Sequence, residues 1–136
     1  AVLFGNIRDP RILDRLNLPH TWLGQISDPT LIADIYAHSS AVLSTSLYET
    51  LPGTLIEGQA AGAWPVSFDR GGQADIISDP SLGSLVAFGD TDAVARQLAR
   101  AIEGDTPDRR RHLSESVAAK FSARAVACRY IDLLRR

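Results

Sequence analysis

Methionine is missing from all 136 residues, the first included. A natural chain starts with one, so the sequence reads as a piece of a longer protein. Cysteine occurs once, at Cys128. A single thiol closes no internal disulfide, which excludes a disulfide-held scaffold. Aromatic residues make up only 7% of the chain, and none flanks the basic run Arg109-Arg110-Arg111 to offer bases a stacking platform. That run is expected to be a solvated helix start. Charge of one sign is also lacking: 14 Lys and Arg against 16 Asp and Glu leave a net charge of -2. Nucleic acid is therefore not an expected partner. No apolar run approaches the roughly 20 residues of a membrane span. The opening Ala1–Asn6 turns polar too soon for a signal peptide. His20, His38 and His112 stand far apart with no Cys or Asp at ligand spacing, so no metal site is expected. Walker, nucleophile-elbow and Gly-x-Gly-x-x-Gly sequences are absent too.

What is present suits one globular domain: the hydrophobic share is 45%, and the length can support a core. Short apolar runs alternate with helical patterns. Val2–Phe4, His20–Gly24, Ala41–Leu43, Trp64–Phe68 and Leu85–Phe88 read as strands. Helices are expected from Pro10 to Leu16 with Asp9 as cap, and from Asp28-Pro29 with Leu31, Ile32, Ile35 and Tyr36 on one face. Pro52–Ala61 is the next, closed by Gly62, with Leu55, Ile56 and Ala60 towards the sheet. Gln73–Ile77 makes one helical turn. Thr91 caps a helix carrying Val94, Leu98, Ala101 and Ile102, stopped by Gly104. One more helix runs from the Asp105–Asp108 turn towards Lys120. Ser122 caps the last, with Val126, Tyr130 and Leu133 or Leu134 as its stripe. The economical architecture is α/β: a Rossmann-like, three-layer domain with a parallel sheet between helices.

Right-handed crossovers bring the loops after the strands to one rim, where ligands of such sheets bind. Three loops qualify: Gly24-Gln25, Ser44–Thr54 and Asp69–Gly72. Free amides at the start of the 52–61 helix and in the Gly71-Gly72 turn both suit phosphate oxygens. The glycines also fit a plain turn. Glu49 precedes that helix and Glu57 lies about a turn inside it. A carboxylate can accept two hydroxyls of a vicinal diol, as in ribose or a hexose. Glu57 could equally face solvent, and Glu49 could simply offset the helix dipole. Cys128 reads as inert.

The stretch Tyr48–Gly62, followed by Pro65-Val66, resembles the signature of family 4 retaining glycosyltransferases, two-domain enzymes of GT-B architecture. Two glutamates separated by seven residues, a small-residue helix, a Pro-Val pair and a Gly-Gly turn occur here as Glu49, Glu57, Gly58–Gly62, Pro65-Val66 and Gly71-Gly72. Asp75 stands where a glutamate is common. Asp28–Ser46 resembles the preceding helix, strand and turn, and Phe121-Ser122 the closing segment. The resemblance implies that the chain, 1–136, is the C-terminal nucleotide-sugar-binding half, without its N-terminal acceptor domain. It places Glu49 beside the donor sugar as the catalytic-site carboxylate and Glu57 on the ribose hydroxyls. Thr50, Leu51, Gly53 and Thr54 lie along the diphosphate and sugar, with Gly71 and Gly72 nearby. Gly24 and Gln25 lie near the base. The family's diphosphate-binding Arg and Lys have no counterpart here, so the piece alone is expected to be inactive. The donor is then a nucleotide-diphosphate sugar, with no cofactor and no metal, and the partners are that donor and the N-terminal GT-B domain. Self-association of the piece is expected where a sheet edge is left bare. Localisation is expected to be cytoplasmic, with peripheral attachment to the inner membrane surface for the whole enzyme. Two other readings remain open at this point: a nucleotide-sugar epimerase-like domain, and a non-catalytic domain that binds nucleotide or a partner.

Overall fold

All strand pairs are parallel, as the alternating pattern demands, but they form two sheets rather than one. The structure, a computed structural model, describes residues 1–135. It divides into two compact units, Ala1–Asp34 and Ile35 onward, where length alone suggested one.

In the first unit, β1 (Val2–Leu3) pairs with β2 (Thr21–Trp22). Between them, α1 (Arg11–Asp14) is a single turn that ends short of Leu16. Pro10, not Asp9, takes the cap position and no side chain caps it; the Asp9 carboxylate lies just before it and accepts from the Arg11 amide at 3.1 Å and from the Arg11 side chain. α2 (Pro29–Ala37) starts as expected, with the Asp28 carboxylate accepting from the Thr30 amide at 2.9 Å. Proline follows the cap, where no amide hydrogen is needed.

The second unit holds β3 (Ala41–Ser44), α3 (Gly53–Ala60), β4 (Trp64–Phe68), α4 (Gln73–Ile76) and β5 (Ser84–Val86). They are followed by α5 (Thr91–Glu103), α6 (Pro107–Phe121) and α7 (Ala123–Leu134). The sheet runs β3-β4-β5, so β4 is central, and Pro65, Val66, Ser67 and Phe68 are all buried. Strand alternation sends successive side chains to opposite faces. Val66, Phe68 and Val86 therefore meet Val94 of α5 on one side. On the other, Leu55 of α3 and Ile76-Ile77 pack with Val42, Leu85 and Phe121. The approach of α3 to β3 is close enough that a Cβ on Gly58 would lie 2.5 Å from Val42 Cγ1.

Several local expectations change, each for a physical reason. Ala60 is exposed, and Gly58 and Gln59 take the sheet-facing places instead; Gln59 is admitted because its Nε2 donates to Leu82 O at 2.7 Å. Leu43 is 45% exposed because β3 is an edge strand. Asp90, not Thr91, caps α5, since its carboxylate accepts from the Ala93 amide at 2.8 Å. Ile102 points outward at 62% exposure. Every residue of α7 is exposed or half-buried, so its apolar stripe lies uncovered. Arg109 and Arg110 are not solvated. Arg110 donates to Ala37 O and Ser39 O, both at 2.9 Å, and pairs with Asp105 at 2.7 Å, tying α6 to the end of α2.

Candidate functional site

β3 and β4 are adjacent and parallel, so the loops at their C-terminal ends share one edge of the sheet. These are residues 45–52 and 69–72, and they touch. The Gly72 amide donates to Glu49 O at 2.8 Å. A Cβ on Gly72 would fall 1.8 Å from Thr50 O, and one on Gly71 would fall 2.5 Å from Glu49 O. Gly71 also has φ +70°, a conformation that favours glycine. Both glycines are thus explained by loop-on-loop packing. The expected offer of the Gly72 amide to a phosphate is corrected, because that hydrogen already serves Glu49.

This packing holds Glu49 half-buried, while Thr50 and Leu51 stay exposed. Pro52 then caps α3 with an extended backbone (φ -70°, ψ 98°) and supplies no amide of its own. Its carbonyl accepts from Leu55 and Ile56. Helix geometry leaves the Gly53 and Thr54 amides without an intrahelical acceptor, and both residues are exposed. Glu57 follows one turn on, exposed, with Oε1 3.9 Å from where a Gly53 Cβ would sit. A carboxylate and free amides therefore stand side by side on the start of one helix.

Tyr36 supplies the support that sequence pattern hides. It is 5% exposed, at the end of α2. Burial, then the negative charge of Glu57, then a hydrogen bond donated to that carboxylate push its hydroxyl up to about 12. The Tyr36 hydroxyl stays protonated at neutral pH and donates to Glu57. The α2 pattern marked Tyr36 as apolar-face material, and nothing in the spacing indicated where its oxygen would point.

Two further residues enter the site by structure alone. Gln73 opens α4, is fully buried, and its Oε1 lies 3.4 Å from the Gly71 Cβ position, beside the Glu49 backbone. Arg70 places its guanidinium 4.5 Å above the Phe88 ring, which meets Phe68 edge-on at 5.3 Å. That fixes a cation on the same loop as Gly71. The expected Gly24-Gln25 pair belongs to the first unit, just after β2. Gly24 adopts φ +69°, and its carbonyl accepts from the Gly5 amide at 2.8 Å. Among the described residues, no group of three or more His, Cys, Asp or Glu could hold a metal ion. No described helix is long and apolar enough to cross a membrane.

Solved structures share this fold. The crystal structure of TarM matches 99% of the chain at TM-score 0.72 and 19% identity. A TarM variant from S. aureus, solved with fondaparinux, alpha-GlcNAc-glycerol and UDP, matches 99% at TM-score 0.78 and 19% identity. AviGT4, a glycosyltransferase involved in avilamycin A biosynthesis, matches 99% at TM-score 0.69 and 25% identity. The chain spans 28%, 29% and 42% of these three chains, respectively. No curated protein sequence matches it. The sequence profile for "Glycosyl transferases group 1" matches residues 13–120, through β2 to α6 and across the whole Glu49–Gly72 site. That match covers well over half of the sequence, and the chain belongs to the group 1 glycosyl transferases.

Proposed function

We propose that this chain is the C-terminal, donor-binding half of a retaining glycosyltransferase that uses a nucleotide-diphosphate sugar. One observation carries the reading: Glu49 and Glu57 flank the start of α3, with the Gly53 and Thr54 amides between them. Amides at a helix start favour phosphate oxygens by hydrogen bonding and by the helix dipole. A carboxylate set directly on the diphosphate would repel it. Each glutamate is better used one step away, where hydroxyls donate: Glu57 on the ribose diol and Glu49 on the sugar. Thr50 and Leu51 line the path between, and Gly71 and Gly72 keep the Glu49 loop in place. Gly24 and Gln25 are assigned to the base. The UDP in the TarM variant structure is in keeping with such a donor.

Transfer with retention needs no protein nucleophile in this arrangement. The leaving diphosphate takes up negative charge as the glycosidic bond breaks, and the α3 amides are aimed where that charge develops. The acceptor hydroxyl attacks on the face the diphosphate leaves and gives its proton to the departing phosphate oxygen, while Glu49 holds the donor sugar and the N-terminal domain expected as partner holds the acceptor. Positioning at the anomeric carbon dominates the rate.

Product analysis with the full-length protein tests this directly. Sugar appearing on an acceptor with its anomeric configuration kept supports the reading. An isomerised nucleotide sugar, or donor that is bound but never transferred or hydrolysed, overturns it.

A further inference from the structure

Two glutamine side chains are almost wholly buried, and they are not alike. Gln59 is 2% exposed, and its Nε2 donates to Leu82 O at 2.7 Å. Gln73 is 0% exposed, and neither its Oε1 nor its Nε2 has a hydrogen-bond partner among protein atoms. Buried polar side chains are as a rule paired, because an unpaired one gives up its hydration and gains nothing in return. Methionine or leucine would fill a similar volume without that loss. Gln73 therefore lowers the stability of the resting protein, and its surroundings indicate what it is for.

Gln73 opens α4, straight after the Gly71-Gly72 turn. Its Oε1 lies 3.4 Å from the Gly71 Cβ position, and the Glu49 nitrogen lies 3.5 Å from that same point. The Glu49 carbonyl is already engaged, accepting from the Gly72 amide at 2.8 Å. The Glu49 amide is not: among the described residues it donates no hydrogen bond. An unpaired buried acceptor and an unpaired backbone donor thus flank one point without being bonded. The rest of the loop has little hold on the protein, since Leu47, Tyr48 and Leu51 are 66%, 78% and 53% exposed.

We propose that Gln73 is a positioning residue for Glu49: in the donor-bound protein a short movement of the 45–52 loop brings the Glu49 amide onto Gln73 Oε1. This rests on the role given above to Glu49 as the carboxylate beside the donor sugar. The Gly72 amide fixes Glu49 at its carbonyl only. A second bond at its nitrogen fixes the backbone on both sides of the Cα, and with it the direction in which the side chain leaves. That direction sets where the carboxylate meets the sugar, and small errors of placement there are costly in rate.

The test uses the full-length protein carrying Gln73→Met, with Gln73→Leu as a second apolar replacement. The donor is whichever of UDP-glucose, UDP-N-acetylglucosamine, GDP-mannose and ADP-glucose the parent turns over fastest, read as release of nucleoside diphosphate. Both variants should lose at least tenfold in kcat, keep their affinity for the bare nucleoside diphosphate within twofold, and hold or raise the melting temperature. Gln59→Met, which removes a bond already made, should lower the melting temperature. Glu49→Ala should lose turnover, and adding Gln73→Met to it should change turnover by less than twofold, because residues that act as one unit are not additive. Glu49→Ala that keeps turnover would overturn the reading of Glu49 and this proposal with it. Where Glu49→Ala does lose turnover, three results overturn this proposal alone. They are an unchanged kcat in both Gln73 variants, a melting temperature that falls together with kcat as for an amide that only supports the fold, and a further loss of turnover when Gln73→Met is added to Glu49→Ala.

Discussion

Tyr36 and Glu57 show how much of a site can hang on one hydroxyl. The buried phenol donates to the carboxylate proposed to hold ribose, and its ionisation is pushed up to about 12. A group whose folded value is raised contributes stability that is whole below its unfolded value near 10 and is lost as pH rises through about 12. Tyr36→Phe should therefore remove a tyrosinate absorbance step centred near pH 12 from the difference titration against the parent chain. A step near pH 10 would mean that the hydroxyl is neither buried nor beside Glu57. The same variant should weaken nucleoside diphosphate binding several-fold and lower the melting temperature at neutral pH, where the hydroxyl's contribution is whole. The presence of Glu57 and its spacing from Glu49 were legible in the sequence. Its tyrosine support was not, because an apolar helical face records burial and is silent on where a terminal oxygen points.

At the scale of elements, the two glycine sets are alike in sequence and different in mechanics. Gly72 has an ordinary φ of -75°, so its requirement for glycine is purely one of contact with Thr50 O. Gly72→Ala should push the 45–52 loop off the 69–72 loop and cost about 1–3 kcal/mol, read as a lowered melting temperature. Gly53 is the reverse case: it opens α3, and a Cβ there meets nothing nearer than Glu57 Oε1 at 3.9 Å. Gly53→Ala should leave stability equal or up to about 1 kcal/mol higher by helix propensity, yet weaken nucleoside diphosphate because the methyl stands on the proposed phosphate path. Equal affinity would remove Gly53 from that path. The strand and helix order followed from period and punctuation, since proline at a helix start and glycine at its end act locally. What pattern could not supply was the partner of each loop. The Gly71-Gly72 turn looked like an anion cradle until the Glu49 carbonyl was found on the Gly72 amide.

For the whole molecule, the cross-link that pattern missed is the Asp105–Arg110 pair. Arg110 beside Asp105 holds the carboxyl below its ordinary value, and burial opposes that shift only in part. Such a group adds stability above its unfolded value near 3.8, and that stability is lost as pH falls through the lower folded value. Asp105→Asn should flatten the acid end of the melting profile, and an unchanged profile would show that the pair is not linked to folding. The basic run read as solvated because three adjacent arginines usually are; the return of α6 to the end of α2 covers Arg110, and Ala101 of α5 with the Trp64 ring covers Arg109. The uncovered stripe of α7, with Tyr130 at 65%, Leu133 at 65% and Leu134 at 86% exposure, leaves apolar surface at the other end of the chain. Light scattering should show mass rising with concentration, and Leu134→Lys should reduce that rise. A strict monomer would contradict it.

The donor site itself is tested most directly by calorimetric titration of the full-length protein and its Glu57→Gln variant with uridine, guanosine and adenosine diphosphates. The nucleotide that binds the parent best should bind the variant about ten- to a hundredfold more weakly, the equivalent of roughly 1.5–3 kcal/mol for hydrogen bonds to a charged group. Glu49→Ala, measured alongside, should keep its nucleotide affinity and lose turnover, because the bare diphosphate carries no sugar for Glu49 to hold. Unchanged affinity in a folded Glu57→Gln protein would leave Glu57 as a helix-surface residue and contradict the account.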